Sequence, residues 1–203
     1  YGDNYGYIYT FSVFGNPGDK ITFKLYDYAT GTLYDNVATE NMVWNETPTG
    51  SIANPYTLHF TSVAEVENVK YGSLAKAVEK ATSGATVKVI NNVTLSEGLV
   101  VNKSLTFDLN GKAITAAANV YPVIRVQGGA SVTVNGEGSI TNATDYVFTL
   151  GASDGSSAGD LTIKNGTFHG ATTVASVTKG NLVIEGGEFS VEPYQGSYAY
   201  LIN

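Results

Sequence analysis

The chain has 203 residues, with 11 Lys plus Arg against 18 Asp plus Glu, a formal charge of −7, and no Cys. At 43% apolar residues it holds enough material for a core, which excludes a disordered chain. A single Arg and scattered Lys leave no basic face for nucleic acid, no apolar run approaches the ~20 residues of a membrane helix, and the lack of Cys removes disulfide scaffolds, thiolate metal sites and cysteine nucleophiles.

Residues 1–60 read as short strands. Residues 7–14 are rich in aromatic and β-branched side chains, and residues 21–26 alternate, with Ile21, Phe23 and Leu25 on one face. Between them Gly15-Asn16-Pro17-Gly18-Asp19 predicts a turn, because Pro fixes φ near about −65° and Gly tolerates positive φ, so the two runs fold into an antiparallel hairpin. A second turn at Ala29-Thr30-Gly31 joins residues 25–27 to 33–35, and residues 56–60 alternate as a last strand. So small a sheet is marginal alone. The unit is therefore expected to be a partial antiparallel β-sandwich that leans on the rest of the chain or is completed by strands upstream of Tyr1. Phe23-Lys24-Leu25-Tyr26-Asp27-Tyr28-Ala29-Thr30-Gly31, followed by Gly50-Ser51-Ile52-Ala53-Asn54-Pro55-Tyr56, resembles the back half of a small β-sandwich module recurring in large secreted proteins of Bacteroidetes-like bacteria. That resemblance covers residues 5–60, and the acidic, glycine-rich front half of the module is missing.

Residues 61–86 read as a connector with one helix over 73–83. Ser73 is a natural N-cap, Leu74, Ala77, Val78 and Ala81 form one apolar stripe, and Gly84 closes it. A helix this short needs another core to cover.

From Thr86 the chain repeats. Leu105-Thr106-Phe107-Asp108-Leu109-Asn110-Gly111, Val132-Thr133-Val134-Asn135-Gly136, Leu161-Thr162-Ile163-Lys164-Asn165-Gly166 and Leu182-Val183-Ile184-Glu185-Gly186-Gly187 begin 27, 29 and 21 residues apart. An apolar residue follows each turn (Ile114, Ile140, Phe168, Phe189), a second strand precedes each copy (99–101, 123–126, 146–150, 174–177), and residues 198–202 open a fifth. At ~3.3 Å per residue, such a repeat holds two or three short strands, one turn of a solenoid in which every strand pairs in parallel with its counterpart a coil away. The expected fold is all-β, with a parallel β-helix over residues 87–203. Alternation sends Leu105, Phe107 and Leu109 inward and Thr106 and Asp108 outward, and Leu105, Phe107, Val134, Ile163 and Ile184 are expected to be buried in stacked rows. Asn-Gly and Gly-Gly corners suit the positive φ that such corners demand. No helical pattern separates the strands after residue 86, which excludes a doubly wound α/β fold. The N-terminal helix is then a capping helix, laid over the open end and strand edge of the first coil. At the other end the chain stops in mid-coil at Leu201-Ile202-Asn203. The natural protein is expected to continue there. For the chain as it stands, a cap of Tyr194, Tyr198 and Tyr200 is preferred over end-to-end self-association, and that over fraying.

Val63-Ala64-Glu65-Val66, Tyr71-Gly72-Ser73-Leu74-Ala75-Lys76-Ala77-Val78, Gly84-Ala85-Thr86-Val87 and Leu105-Thr106-Phe107-Asp108-Leu109-Asn110-Gly111-Lys112-Ala113-Ile114 resemble the start of the right-handed β-helix regions of bacterial cell-surface proteins, within the pectin-lyase-like fold group. The resemblance spans residues 63–203. It implies a right-handed parallel β-helix, and either a non-catalytic adhesin or stalk or a fragment of a polysaccharide lyase or glycoside hydrolase.

Similarity to the lyases would imply an Asp cluster for Ca²⁺ and a basic residue. Asp145, Asp154 and Asp160 are singletons among Gly and Ser, Arg125 is the lone guanidinium, and Asp108 sits before a corner, so all are read as loop and strand residues. His59 and His169 have no Ser or Asp partner at recognisable spacing, and two separated His make no metal site. Gly128-Gly129 and Gly136-Glu137-Gly138 read as corners rather than phosphate loops. The sequons at Asn45, Asn92, Asn102, Asn142 and Asn165 are attributed to composition. Fourteen Tyr and one Trp are the most suggestive surface feature. Tyr5, Tyr7, Tyr9, Tyr28, Tyr34 and Trp44 are candidate contacts for glycans or host surface proteins, beside the plainer reading of a sheet face packed by aromatic pairs. The composition, rich in Gly, Asn, Thr, Ser and Tyr, points to an extracellular or cell-surface bacterial chain. The expected function is a non-enzymatic adhesin or stalk module with no cofactor and no catalytic or metal residues.

Overall fold

The computed structural model describes residues 12, 14–27, 32–35, 42–45, 53, 61–192 and 200–203. The described chain begins with the Pro17-Gly18 turn, where the Asp19 N–H donates to the Asn16 carbonyl at 3.0 Å and Gly18 takes φ 92°. Beyond it Lys20 bridges Val43 in antiparallel fashion, and the Ile21 N–H donates to the Met42 carbonyl at 2.9 Å. The first strand of the first expected hairpin (7–14, apart from Ser12 and Phe14) and the last expected strand, with His59, lie outside the described residues. The second hairpin is present: Lys24–Asp27 (β1) pairs antiparallel with Thr32–Asp35 (β2). Ile21 and Phe23 are half-buried, but Leu25, read as inward with them, is 42% exposed. The reason is that β1 is the outermost strand of its sheet.

Residues 61–86 contain more than a helix. Ala64–Val66 (β3) and Val69–Tyr71 (β4) form a tight antiparallel hairpin, with Glu67 and Asn68 both at positive φ (50° and 66°). β4 pairs in parallel with β2 on its outer side. Leu74–Lys80 (α1) comes next; its N-cap Ser73 accepts a hydrogen bond from the Lys76 N–H, and Leu74, Ala77 and Val78 are buried.

Then the chain winds. Thr86–Val89 (β5), Val93–Leu95 (β6) and Leu99–Val101 (β7) make the first coil. Leu105–Asp108 (β8), Lys112–Ala116 (β9) and Ile124–Val126 (β10) make the second, and Ala130–Asn135 (β11), Gly138–Asn142 (β12) and Phe148–Leu150 (β13) the third. Gly159–Ile163 (β14), Thr167–Gly170 (β15) and Thr173–Val177 (β16) form the fourth, and Leu182–Ile184 (β17), Glu188–Val191 (β18) and Tyr200–Ile202 (β19) the last described. Three faces result, β5-β8-β11-β14-β17, β6-β9-β12-β15-β18 and β7-β10-β13-β16-β19, every pairing within them parallel. This is a parallel β-helix. The apolar residue after each glycine turn proves to belong to a full third strand.

Like residues stack in rows. Val87, Phe107, Val134 and Ile163 share one register position on the first face, and all are fully buried. On the second face Val93, Ile114, Ile140, Phe168 and Phe189 align, with the Phe168 and Phe189 rings stacked at 5.2 Å. On the third, Leu99, Ile124, Phe148 and Ala175 are buried in line. The rows lose their cover at the last coil. Ile184, expected inside, is 44% exposed, because β17 has a neighbour only on the β14 side.

At the N-terminal end the capping work is divided. The apolar stripe of α1 joins the core of the first coil, and Lys103 ties it down by donating from Nζ to the Glu79 and Ala81 carbonyls at 2.9 Å each. The free edge of β5 is covered by β3, not by the helix.

Candidate functional site

Of the six aromatic candidates, Tyr5, Tyr7, Tyr9 and Tyr28 lie outside the described residues. Tyr34 is a β2 residue in register with Leu25 on one side and Lys70 on the other. Trp44 is held against the Pro17-Gly18 turn, its N–H donating to the Asp19 carbonyl at 2.7 Å and its carbonyl accepting from the Gly18 N–H at 3.0 Å. Gly15 lets the indole approach: a Cβ there would stand 3.3 Å from Trp44 Cγ. With Phe14, which is 92% exposed, and with Asp19, Lys20 and Thr22, Trp44 lines a shallow cleft of about 430 Å³. The structure thus places one of the six, Trp44, beside an open depression.

The acidic candidates do not converge. Asp108 Oδ1 accepts the Asn110 N–H at 3.0 Å, Asp145 Oδ1 the Tyr146 N–H at 2.9 Å, and Asp154 Oδ1 the Ser156 N–H at 2.9 Å. Asp160 Oδ1 holds both the N–H and the side-chain amide of Asn181, at 2.8 and 3.0 Å. Each carboxylate is thereby engaged in fixing a corner or a neighbouring coil. The Ser156 hydroxyl, and after it the Ser156 N–H, hold the Asp154 carboxyl below the usual carboxylate range, the opposite of what a general acid needs. Among the described residues no group of three or more His, Asp or Glu is placed to hold a metal.

His169 has the partners that its sequence spacing hides. Its Nδ1 lies 2.9 Å from Ser190 Oγ and its Nε2 3.0 Å from Glu192 Oε1, both one coil on, because register sets His169 beside Ser190. The link is an exposed clasp between the fourth and fifth coils. The sequons also separate. Asn142 is fully buried, which bars it from carrying a glycan, whereas Asn45, Asn92, Asn102 and Asn165 are exposed.

The same Asn142 builds the most elaborate surface feature of the β-helix. Its Nδ2 donates to the Val120 carbonyl of the second coil at 2.8 Å and to the Tyr146 carbonyl of the third at 3.0 Å. Its Oδ1 accepts from the Thr144 N–H, the Thr144 hydroxyl and the Asp145 N–H, at 3.0 to 3.1 Å. A fully satisfied buried amide of this kind fixes the loops it joins. Those loops carry Tyr121, before cis-Pro122, and Tyr146, whose rings meet edge-on at 5.4 Å. Arg125 in β10 reaches over the Tyr121 ring at 5.8 Å and donates from Nη1 to Ser153 Oγ. Tyr121 is 53% exposed, and Val100, the row neighbour of Arg125, is also 53% exposed. Next in the row Thr149 is 4% exposed, with no hydrogen-bond partner for Oγ1. Sequence patterning singles out Arg125 but not its tyrosine neighbours. The signal available for them is the recurrence of Tyr just ahead of the same strand in two successive copies.

No protein-family model, characterised protein or solved structure matches the chain.

Proposed function

We propose that the chain is a non-enzymatic extracellular or cell-surface module, a stalk or adhesin segment whose long outer faces contact glycans or host surface proteins. The observation that carries this reading is how the acidic side chains are used. Asp108, Asp145, Asp154 and Asp160 are each engaged by the backbone of a corner or an adjacent coil, while aromatic rings at Trp44 and Tyr121 stand at the surface. Rings with polar tips stack on sugars and anchor protein contacts. Repeated coils offer an extended surface suited to many weak contacts rather than one reaction centre. The competing reading is a fragment of a polysaccharide lyase or glycoside hydrolase. A glycan array run beside an activity screen on pectin-like and host glycans separates the two. Binding without turnover is the expected result; turnover abolished by Asp108→Ala or Arg125→Ala overturns the proposal.

A further inference from the structure

We infer that the Tyr121–Tyr146–Arg125 corner is a binding site for a sugar carrying a single carboxylate at the end of a glycan. This deepens the binding reading above and rests on it.

The cation comes first. Arg125 is the only Arg of an acidic chain, and among the described residues its guanidinium makes no ion pair; its described partners are the Ser153 hydroxyl and the Tyr121 ring. A guanidinium offers five donors in a planar fork that matches a carboxylate. One donor is engaged by Ser153, a neutral acceptor that an anion outcompetes. Thr149, in register with Arg125 one coil on, keeps a buried hydroxyl without a partner, out of reach of a ligand at the surface.

The aromatic pair selects a sugar over a peptide. Tyr121 keeps half of its surface open, and its ring suits the C–H face of a pyranose. A peptide strand finds no edge here, since β10 is paired on both sides, with β7 and β13.

Charge selects one carboxylate over many. Asp145 and Asp154 adjoin Tyr146 and Ser153 in sequence, and the chain as a whole carries −7. A polyanion laid across the face would bring several further charges against a chain that is already negative overall. A terminal acidic sugar on a neutral chain avoids that repulsion. The site is also preorganised. Asn142 fixes both tyrosine-bearing loops, so little ordering is left for the ligand to impose.

The test is a ligand-observed NMR and calorimetric titration of the whole chain with sialyllactose, lactose, polygalacturonate and a short acidic peptide. Sialyllactose is expected to bind, lactose and polygalacturonate to bind at least about tenfold more weakly, and binding to weaken as salt is raised. Arg125→Gln is expected to weaken sialyllactose about tenfold or more, and Tyr121→Ser about fivefold, each with an unchanged melting temperature. Should Arg125→Gln unfold, Arg125→Lys keeps the charge, loses the fork and weakens binding. Equal affinity for lactose, stronger binding of the peptide or polygalacturonate, or an unchanged Arg125→Gln titration overturns the site. If glycans bind but are indifferent to Arg125 and Tyr121, this site fails while the module's proposed function survives; if none binds on the array or in solution, the binding reading fails as well.

Discussion

Asn142 holds five hydrogen bonds in a place that water does not reach. Asn142→Ala strands two carbonyls and two N–H groups around a small void. The expected loss is about 3 kcal/mol, since each orphaned buried group costs about 1–3 kcal/mol and part of the site can rehydrate. Urea denaturation measures it. Thr149→Val should act in the opposite direction. It replaces an unpartnered buried hydroxyl by a methyl of similar shape, so stability should hold or rise by up to about 1 kcal/mol in the same assay. Glycine positions divide by their surroundings. At Gly159 a Cβ would lie 2.0 Å from the Val126 carbonyl oxygen, a backbone atom locked in the adjoining coil, and Gly159→Ala should cost on the order of 4 kcal/mol. At Gly155 nothing lies within 4 Å and only the positive φ of 69° resists, so Gly155→Ala should cost about 1 kcal/mol. Residue-level foresight obeys the same division. Asn110-Gly111 is legible as a corner because its φ values of 48° and 71° answer to local chemistry. The sequon at Asn142, attributed to composition, gives no sign of its buried role, because its partner at Val120 lies 22 residues back, across a coil boundary that the triplet does not reveal.

At the scale of elements, α1 is a short helix secured at both ends. Ser73→Ala removes the acceptor for the Lys76 N–H and should cost about 1 kcal/mol in thermal melts. At the other end, Lys103 brings both donors and positive charge to the helix's last carbonyls, where they complement its dipole. Lys103→Met should loosen α1 from the first coil, seen as faster amide exchange at Ala77 and Ala81 than in Leu105 or Phe107. On the outer surface the Lys76 hydrogen bond, and then that of Lys80, hold the Glu79 carboxyl below the ordinary carboxylate range. A depressed acid stabilises the fold above its unfolded pKa and loses that contribution as pH falls through the folded value. The melting-temperature gap between wild type and Glu79→Gln should therefore be small at neutral pH, shrink with salt, and vanish in acid. The helix is readable from its N-cap and stripe. The β3–β4 hairpin is not, because Glu67-Asn68 is a weaker turn signal than Asn-Gly, and its strands are only three residues long.

For the whole molecule, stability accumulates coil upon coil, each layer completing the one before. That layering is legible in the sequence because one register, repeated along the chain, sets Leu105, Val132, Leu161 and Leu182 in line. The state of the far end is not, since an outermost layer has a neighbour on one side only and the repeat does not specify its cover. Tyr194 and Tyr198 of the expected cap lie outside the described residues; Tyr200 is a β19 residue, 47% exposed. Val183, Ile184, Leu201 and Ile202 are between 40% and 47% exposed, and β17, β18 and β19 each end a sheet. Hydrogen exchange at Leu182 to Phe189 should thus outpace that at Leu105 to Leu109. Protection that rises with protein concentration would identify end-to-end association. The direction of the interstrand bonds has a mechanical consequence too. They run along the axis of the coil, so a load applied between the two ends of the β-helix pulls them open one layer at a time instead of shearing a whole sheet at once. Each opened layer, 21 to 29 residues of repeat, releases roughly 70–100 Å of slack chain. A tether built this way yields in steps, dissipating a sudden tug while the coils still wound keep their grip.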